Sequence, residues 1–309
     1  MRNLIGLKET SASEINEILQ EAFKLKKEVL QGHKKASYLS GKSVITLFYE
    51  NSTRTRLSFE LASKYLGATA ANITASGSSV QKGESLADTI KTINAMAADV
   101  IVMRHPSSGA PYFAQKYADA AIVNAGDGMN EHPTQALLDM MTILETKGNI
   151  KGLRVAIVGD VNHSRVARSN IYGLKKLGAD VVIGGPATLL PADMEDFGVS
   201  VYNSVDKAVE GADVIMALRI QLERQKKGLF PTIREYHKYF GIDTRRLGLA
   251  APDAIVMHPG PVNRGVELSA DVADGNRSVI CNQVTNGVCV RMAVLKLLCG
   301  TSEEKQGVL

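Results

Sequence analysis

Ser52-Thr53-Arg54-Thr55-Arg56 places hydroxyl donors and two guanidinium groups in consecutive positions. Such a set suits an oxyanion with several oxygens, because the planar fork of arginine meets two phosphate oxygens at once. The run follows the apolar stretch 44–49 and precedes Leu57, Leu61, Tyr65 and Leu66, which share one face at helical spacing. It therefore stands where a strand hands over to a helix N-terminus. There, free backbone N–H groups and the positive end of the helix dipole favour an anion. The competing reading is an ordinary helix cap, with Ser52 or Thr53 at the N-cap and the arginines in solvent.

Other candidates fall at the same kind of place. Arg104 ends the apolar run 100–103, and His132 and Gln135 open a helix whose first turn holds Pro133. Arg165 opens the helix after the apolar run 153–158, and Arg219 follows 214–218. His258-Pro259-Gly260-Pro261 follows 255–257. In open parallel sheets, ligands bind beyond the carboxyl ends of the strands. Singly, each of these residues reads as a surface charge or a turn; together they describe a polar, anion-binding site.

Missing motifs narrow the chemistry. Gly41-Lys42-Ser43 resembles the end of a P-loop, but Ala36 replaces its first glycine and the tripeptide precedes a strand. Val158-Gly159-Asp160 ends a strand without the Gly-x-Gly-x-x-Gly fingerprint, which argues against a dinucleotide. There is no His-Glu-x-x-His, no paired Cys/His cluster and no Gly-x-Ser-x-Gly elbow. The expected site works without metal or cofactor.

The elements that must position these residues alternate. A helix is expected over 11–31, with Ser13 as N-cap and Ile15, Ile18, Leu19, Ala22, Leu25 and Val29 as its apolar stripe. Strands at 44–49, 70–73, 100–103 and 121–123 are separated by helical patterns, and 76–83 reads as an exposed loop. After the polar, glycine-punctuated stretch 147–152 the rhythm restarts, with strands at 153–158, 180–183, 214–218 and 255–257 and a last helix at 284–298. The fold class is therefore α/β, with two domains, each a parallel sheet flanked by helices, and an active site between them. The domains are placed at 1–146 and 152–309, the last helix being free to pack back on the first. The charged, weakly periodic stretch 219–250 is either a functional lid or a solvated helix pair.

A chain of 309 residues is long enough for two cores. A net charge of +4 with scattered basic residues excludes the footprint of a nucleic-acid binder and fits a few arginines facing an anionic substrate. Cys281, Cys289 and Cys299 are odd in number and lack Cys-x-x-Cys spacing, which fits a reducing compartment. No signal peptide is read at the N-terminus, and no apolar run reaches the ~18–20 residues that span a bilayer. The expectation is a soluble cytoplasmic protein without nucleic-acid or membrane partners.

Ser52-Thr53-Arg54-Thr55-Arg56 together with His132-Pro133-Thr134-Gln135 resembles the carbamoyl phosphate site of the aspartate/ornithine transcarbamoylase superfamily. His258-Pro259-Gly260-Pro261-Val262-Asn263-Arg264-Gly265 and Arg219-Ile220-Gln221-Leu222-Glu223-Arg224 resemble its aspartate-using members. The His-Cys-Leu-Pro and Ser-Met-Gly segments of the ornithine enzymes are absent. The resemblance covers nearly the whole chain. It implies transfer of the carbamoyl group of carbamoyl phosphate to L-aspartate, an early step of pyrimidine biosynthesis. By that likeness Ser52, Thr53, Arg54 and Thr55 hold the phosphate, and Thr55, Arg104 and His132 face the carbonyl oxygen. Gln135 and the backbone carbonyls of Gly260 and Pro261 take the carbamoyl NH2, while Arg165, Arg219, Gln221 and Lys82 hold aspartate. Ser78 and Lys82 match a loop that enters a neighbouring subunit's site, which implies a homotrimer, with or without a regulatory subunit. Glu50 matches a residue that links the domains on closure through Arg165 and Arg224. A transcarbamoylase for another amine, such as ornithine, and a non-catalytic phosphate-binding protein are the competing readings.

Overall fold

In the computed structural model, residues 1–74, 83–191, 197–220 and 232–300 are described. The chain divides into two compact units, Met1–Met141 with the last helix from Thr285, and Thr142–Val284.

The first unit opens with α1 (Ala12–Leu30), whose N-cap is Ser11 and not Ser13. The Ser11 hydroxyl accepts from the Glu14 N–H at 3.2 Å, and the Glu14 carboxylate accepts from the Ser11 N–H at 2.9 Å. Only Ser11 has an acidic residue three positions on, the spacing that closes a capping box. There follow β1 (Ser43–Phe48), α2 (Thr53–Tyr65), β2 (Thr69–Thr74), α3 (Leu86–Ala95), β3 (Val100–His105), α4 (Ala110–Ala114), β4 (Ala121–Asp127) and α5 (Pro133–Lys147), whose last turns from Thr142 belong to the second unit. The four strands form a parallel sheet in the order β2-β1-β3-β4. Val100, Ile101, Val102 and Met103 are all buried, as expected for a central parallel strand covered on both faces.

In α2 the sequence-expected face is wrong. Leu57 is 52% exposed, while Thr55, Phe59 and Ala62 are buried, followed by Leu66 at the C-cap. That set has the same helical spacing, and burying the large Phe59 ring decides the rotation.

The second unit holds β5 (Arg154–Val158), α6 (Arg165–Lys176), β6 (Asp180–Gly184), β7 (Ser200–Tyr202), α7 (Val205–Val209), β8 (Val214–Ala217), α8 (Ile233–Phe240), α9 (Thr244–Leu247), β9 (Ile255–Met257) and α10 (Ala270–Ala273). Its sheet is parallel, ordered β7-β6-β5-β8-β9. The edge strand β7 has no sequence signal, being three residues long and only half-buried. Within the stretch 219–250 the described residues contain α8 and α9, so this part is helical. Residues 221–231 lie outside the described residues.

The final helix, α11 (Ile280–Cys299), is bound into the first unit from Thr285 onward. Lys26 Nζ donates to Asn286 Oδ1 at 2.7 Å, and Lys296 Nζ pairs with Glu21 at 2.6 Å. Among the described residues no helix is long and apolar enough to cross a membrane.

Candidate active site

The first cluster is set by the β1–α2 junction. Ser52 occupies the N-cap position of α2, with φ −157° and ψ 88°, but its hydroxyl makes no capping bond. The ordinary-cap reading therefore fails for Ser52. Its oxygen is not committed to the helix, and the first turn carries no acidic side chain to oppose an anion. The ladder begins with the Arg56 N–H donating to the Ser52 carbonyl at 3.2 Å. The N–H groups of Thr53, Arg54 and Thr55 thus precede it, as the first N–H groups of any helix must. Thr53 and Arg54 are exposed and Thr55 is buried.

Arg104 enters from the neighbouring strand. Phe48 of β1 lies in register with Arg104 of β3, which brings Glu50, two residues beyond, alongside the guanidinium. Arg104 Nε donates to Glu50 Oε2 at 3.2 Å, and Nη1 donates to the Ala125 carbonyl at 3.3 Å. The structure thus gives Glu50 a partner, Arg104, that local sequence did not name. A half-buried carboxylate and a carbonyl fix the orientation of the arginine fork.

Gln135 lies in the first turn of α5, and His132 ends the turn between β4 and α5. That turn is held by a buried polar network that the sequence reading missed. Asn124 Nδ2 donates to the Ile5 carbonyl and to Asp127 Oδ1, each at 2.8 Å. Asp127 accepts from the Glu131 N–H at 3.1 Å and the Gly109 N–H at 2.7 Å. Glu131 in turn accepts from the Leu7 N–H at 2.6 Å and the Lys8 N–H at 3.1 Å. His132, next in the chain, is buried, and its carbonyl accepts from the Gln135 and Ala136 N–H groups. The Gln135 amide nitrogen donates to Asp139 Oδ1 at 3.0 Å. The one visible signal for these supports was compositional: Asp139 is a lone carboxylate inside the run 136–141.

In the second unit, Arg165 is the first residue of α6 and is buried, while Ser164 caps the helix by accepting from the Ala167 N–H at 3.1 Å. Pairing of β5 with β8 runs on to the Leu218 N–H, which donates to the Val158 carbonyl at 2.8 Å. Arg165 and Arg219 therefore follow adjacent strands at their carboxyl ends. Gly159, directly after β5, has φ +122°, and a Cβ there would stand 3.1 Å from the Tyr236 hydroxyl and 3.3 Å from the Leu218 carbonyl.

Next along the same edge, beyond β9, the His258 ring shapes a loop. Its Nδ1 accepts from the Gly260 N–H at 2.8 Å, so the ring proton sits on Nε2, which donates to Glu267 Oε1 at 3.0 Å. The same carboxylate oxygen accepts from the Asn263 N–H at 2.6 Å. Both His258 nitrogens are occupied, and the ring serves as a brace that places the backbone of Gly260 and Pro261, which are joined by a cis peptide.

The structure thus brings Ser52, Thr53, Arg54, Thr55, Arg104, His132 and Gln135 to the carboxyl edge of the first sheet. Arg165, Arg219, Gly260 and Pro261 lie at the corresponding edge of the second. Ser78, Lys82, Gln221 and Arg224 lie outside the described residues.

Residues 2–145 match the aspartate/ornithine carbamoyltransferase carbamoyl-P binding domain, and residues 151–298 match the Asp/Orn binding domain of the same enzymes. The chain belongs to this family. It is 65% identical over 297 residues to an aspartate carbamoyltransferase catalytic subunit of Ruminiclostridium cellulolyticum, covering 96% of this chain and 95% of the relative. Against the catalytic subunit of M. Jannaschii aspartate transcarbamoylase it is 41% identical, with a TM-score of 0.84 over 99% of this chain and 100% of that one. The ornithine carbamoyltransferase from Pyrococcus furiosus is 34% identical, with a TM-score of 0.86 over 97% of each chain. Backbone similarity therefore does not separate the two amine substrates, and that choice rests on side chains and on sequence identity.

Proposed function

We propose that this chain transfers the carbamoyl group of carbamoyl phosphate to the amino group of L-aspartate, giving N-carbamoyl-L-aspartate and phosphate. The product leads into pyrimidine synthesis. Residues 1–146 form the carbamoyl phosphate-binding domain and 152–309 the aspartate-binding domain, with the last helix packed back on the first domain. The observation that carries the aspartate reading is the pair of arginines, Arg165 and Arg219, at the ends of adjacent strands. A dicarboxylate takes two cationic clamps, whereas the cationic side chain of ornithine wants a carboxylate. Curated relatives at 60–65% identity are aspartate carbamoyltransferase catalytic subunits, which supports the same choice.

Ser52, Thr53, Arg54 and Thr55 hold the phosphate at the α2 N-terminus, and Arg54 stabilises the bridging oxygen as it leaves. The aspartate amine attacks the carbamoyl carbon, the bond to the phosphate oxygen breaks, and charge builds meanwhile on the carbonyl oxygen. Thr55, Arg104 and His132 are the donors to that oxygen, and donors held in place before charge develops are what stabilise such a transition state. Gln135 and the carbonyls of Gly260 and Pro261 accept from the carbamoyl NH2. The departing phosphate takes the proton released by the amine. Arg165, Arg219, Gln221 and Lys82 clamp aspartate and supply the proximity term. The working enzyme is a cytoplasmic homotrimer in which Ser78 and Lys82 complete a neighbour's site.

The test is ureido-product formation from carbamoyl phosphate with L-aspartate and L-ornithine offered in parallel. Turnover with aspartate alone is expected. Turnover with ornithine alone, or binding of carbamoyl phosphate without turnover of either amine, overturns the reading.

A further inference from the structure

Gln135 can point either of two chemically opposite ends at a substrate, because its amide carries a donor and an acceptor of nearly the same shape. Only the oxygen suits a carbamoyl NH2. The neighbouring carboxylate of Asp139 decides between the two ends. The amide contacts Asp139 Oδ1 at 3.0 Å, one helical turn further along α5. A carboxylate has no proton to give, so the amide atom facing it must be the nitrogen, and Oε1 is turned away. Gln135 is 8% exposed and Asp139 is wholly buried, so bulk water cannot satisfy a flipped amide.

Asp139 shares its surroundings with a cation from another segment. Arg291 of α11 is buried; its Nη1 donates to the Ser58 hydroxyl of α2 at 3.0 Å and to the Gly287 carbonyl at 2.8 Å. Its guanidinium lies 5.2 Å from the centre of the Phe59 ring. Burial pushes its pKa down to about 10, and the Asp139 charge is what opposes that fall. The same cation grips α2 one turn beyond Arg54 and Thr55.

We infer that Asp139 locks the Gln135 amide with Oε1 toward the carbamoyl group, which makes Asp139 a specificity-determining positioning residue. The inference rests on the role proposed for Gln135. It gives discrimination between carbamoyl phosphate and acyl phosphates that carry a methyl in place of NH2, since only the former satisfies the fixed acceptor.

Carbamoyl phosphate and acetyl phosphate are the probes, the first by its dissociation constant and the second as a competing ligand. They are measured in the wild type, in Asp139→Asn and in Gln135→Met. The ratio of the two affinities does not depend on the fraction of protein that is folded. In Asp139→Asn the side chain can donate as well as accept, the lock is lost, and the ratio should narrow about three- to tenfold, the value of one neutral hydrogen bond. If Gln135→Met narrows the ratio while Asp139→Asn leaves it unchanged, the lock is refuted and the Gln135 role stands. If Gln135→Met leaves the ratio unchanged, the Gln135 role fails and takes the lock with it.

Discussion

Gly6→Ala should damage the site from a residue that touches no substrate. A Cβ at Gly6 would stand 2.3 Å from Glu131 Oε1, 2.7 Å from its Cδ and 3.2 Å from Oε2. The Gly6 backbone lies outside the left-handed region, so alanine meets no conformational penalty of its own. The carboxylate cannot step aside freely, because it accepts from the Leu7 and Lys8 N–H groups at 2.6 and 3.1 Å. Hydrogen bonds to a charged group contribute about 1.5–3 kcal/mol each. Losing one outright and straining the other gives an expected destabilisation of about 2–4 kcal/mol, read by urea unfolding followed by circular dichroism. Because Glu131 is joined to His132, kcat at saturating substrate should fall as well. Glu131→Ala removes the atoms that clash, so in that background Gly6→Ala should cost less than about 1 kcal/mol, a coupling expected only between neighbours. Equal costs in the two backgrounds would refute the clamp.

Three further outcomes are expected. Arg54→Ala should lower kcat by roughly 10²–10³, the typical loss of one preorganised donor, and a change confined to KM would count against its place at the leaving oxygen. Glu267→Ala leaves the buried His258 ring N–H and the Asn263 N–H without their acceptor, at about 1–3 kcal/mol each. It should raise KM for carbamoyl phosphate through the Gly260–Pro261 backbone; an unchanged KM with only lost stability would assign the brace to folding alone. Asp206 is held down to about 2, first by its hydrogen bonds from Arg245 and then by Arg246. A depressed carboxylate contributes stability that is complete above its unfolded value of ~3.9 and is lost as pH falls through about 2. The Tm gap between wild type and Asp206→Asn should therefore be constant from pH 7 to 5 and about half gone by pH 3. Asp206 is part-exposed, so the gap should be modest, and a gap independent of pH would remove the carboxylate as its source.

What the sequence disclosed, and what it hid, divides on whether a feature is local. The strand runs 44–49 and 100–103 and the anion-suited junction after the first were legible because apolar runs, helical spacing and strand-end charges are written in consecutive residues. The Ser11 cap was equally local, and the capping-box spacing to Glu14 would have found it. The face of α2 was not, since Leu57/Leu61 and Phe59/Ala62 have the same period and only packing chooses between them. The Glu50–Arg104 pair depends on the register of β1 against β3, which no single strand carries. Edge strand β7 is too short to give a period at all.

The donors of the first cluster sit on local structure, but their precision is imported. Glu131 is held by backbone more than 120 residues earlier, Leu7 N–H lying 124 positions away, and Ser58 is held by Arg291 at a separation of 233. A phosphate cradle made only from a helix N-terminus would bind an anion and leave its side chains to rearrange as charge develops. Donors act on a transition state when their reorganisation has already been met by folding, and here it is met by segments that touch no substrate. Contacts of such separation form late, because loop closure must precede them. The site is therefore expected to tighten only when the residue 4–8 segment and α11 are both in place. A chain lacking either should keep the β1–α2 junction and still bind inorganic phosphate, yet lose turnover; turnover retained without α11 would show that the junction alone suffices.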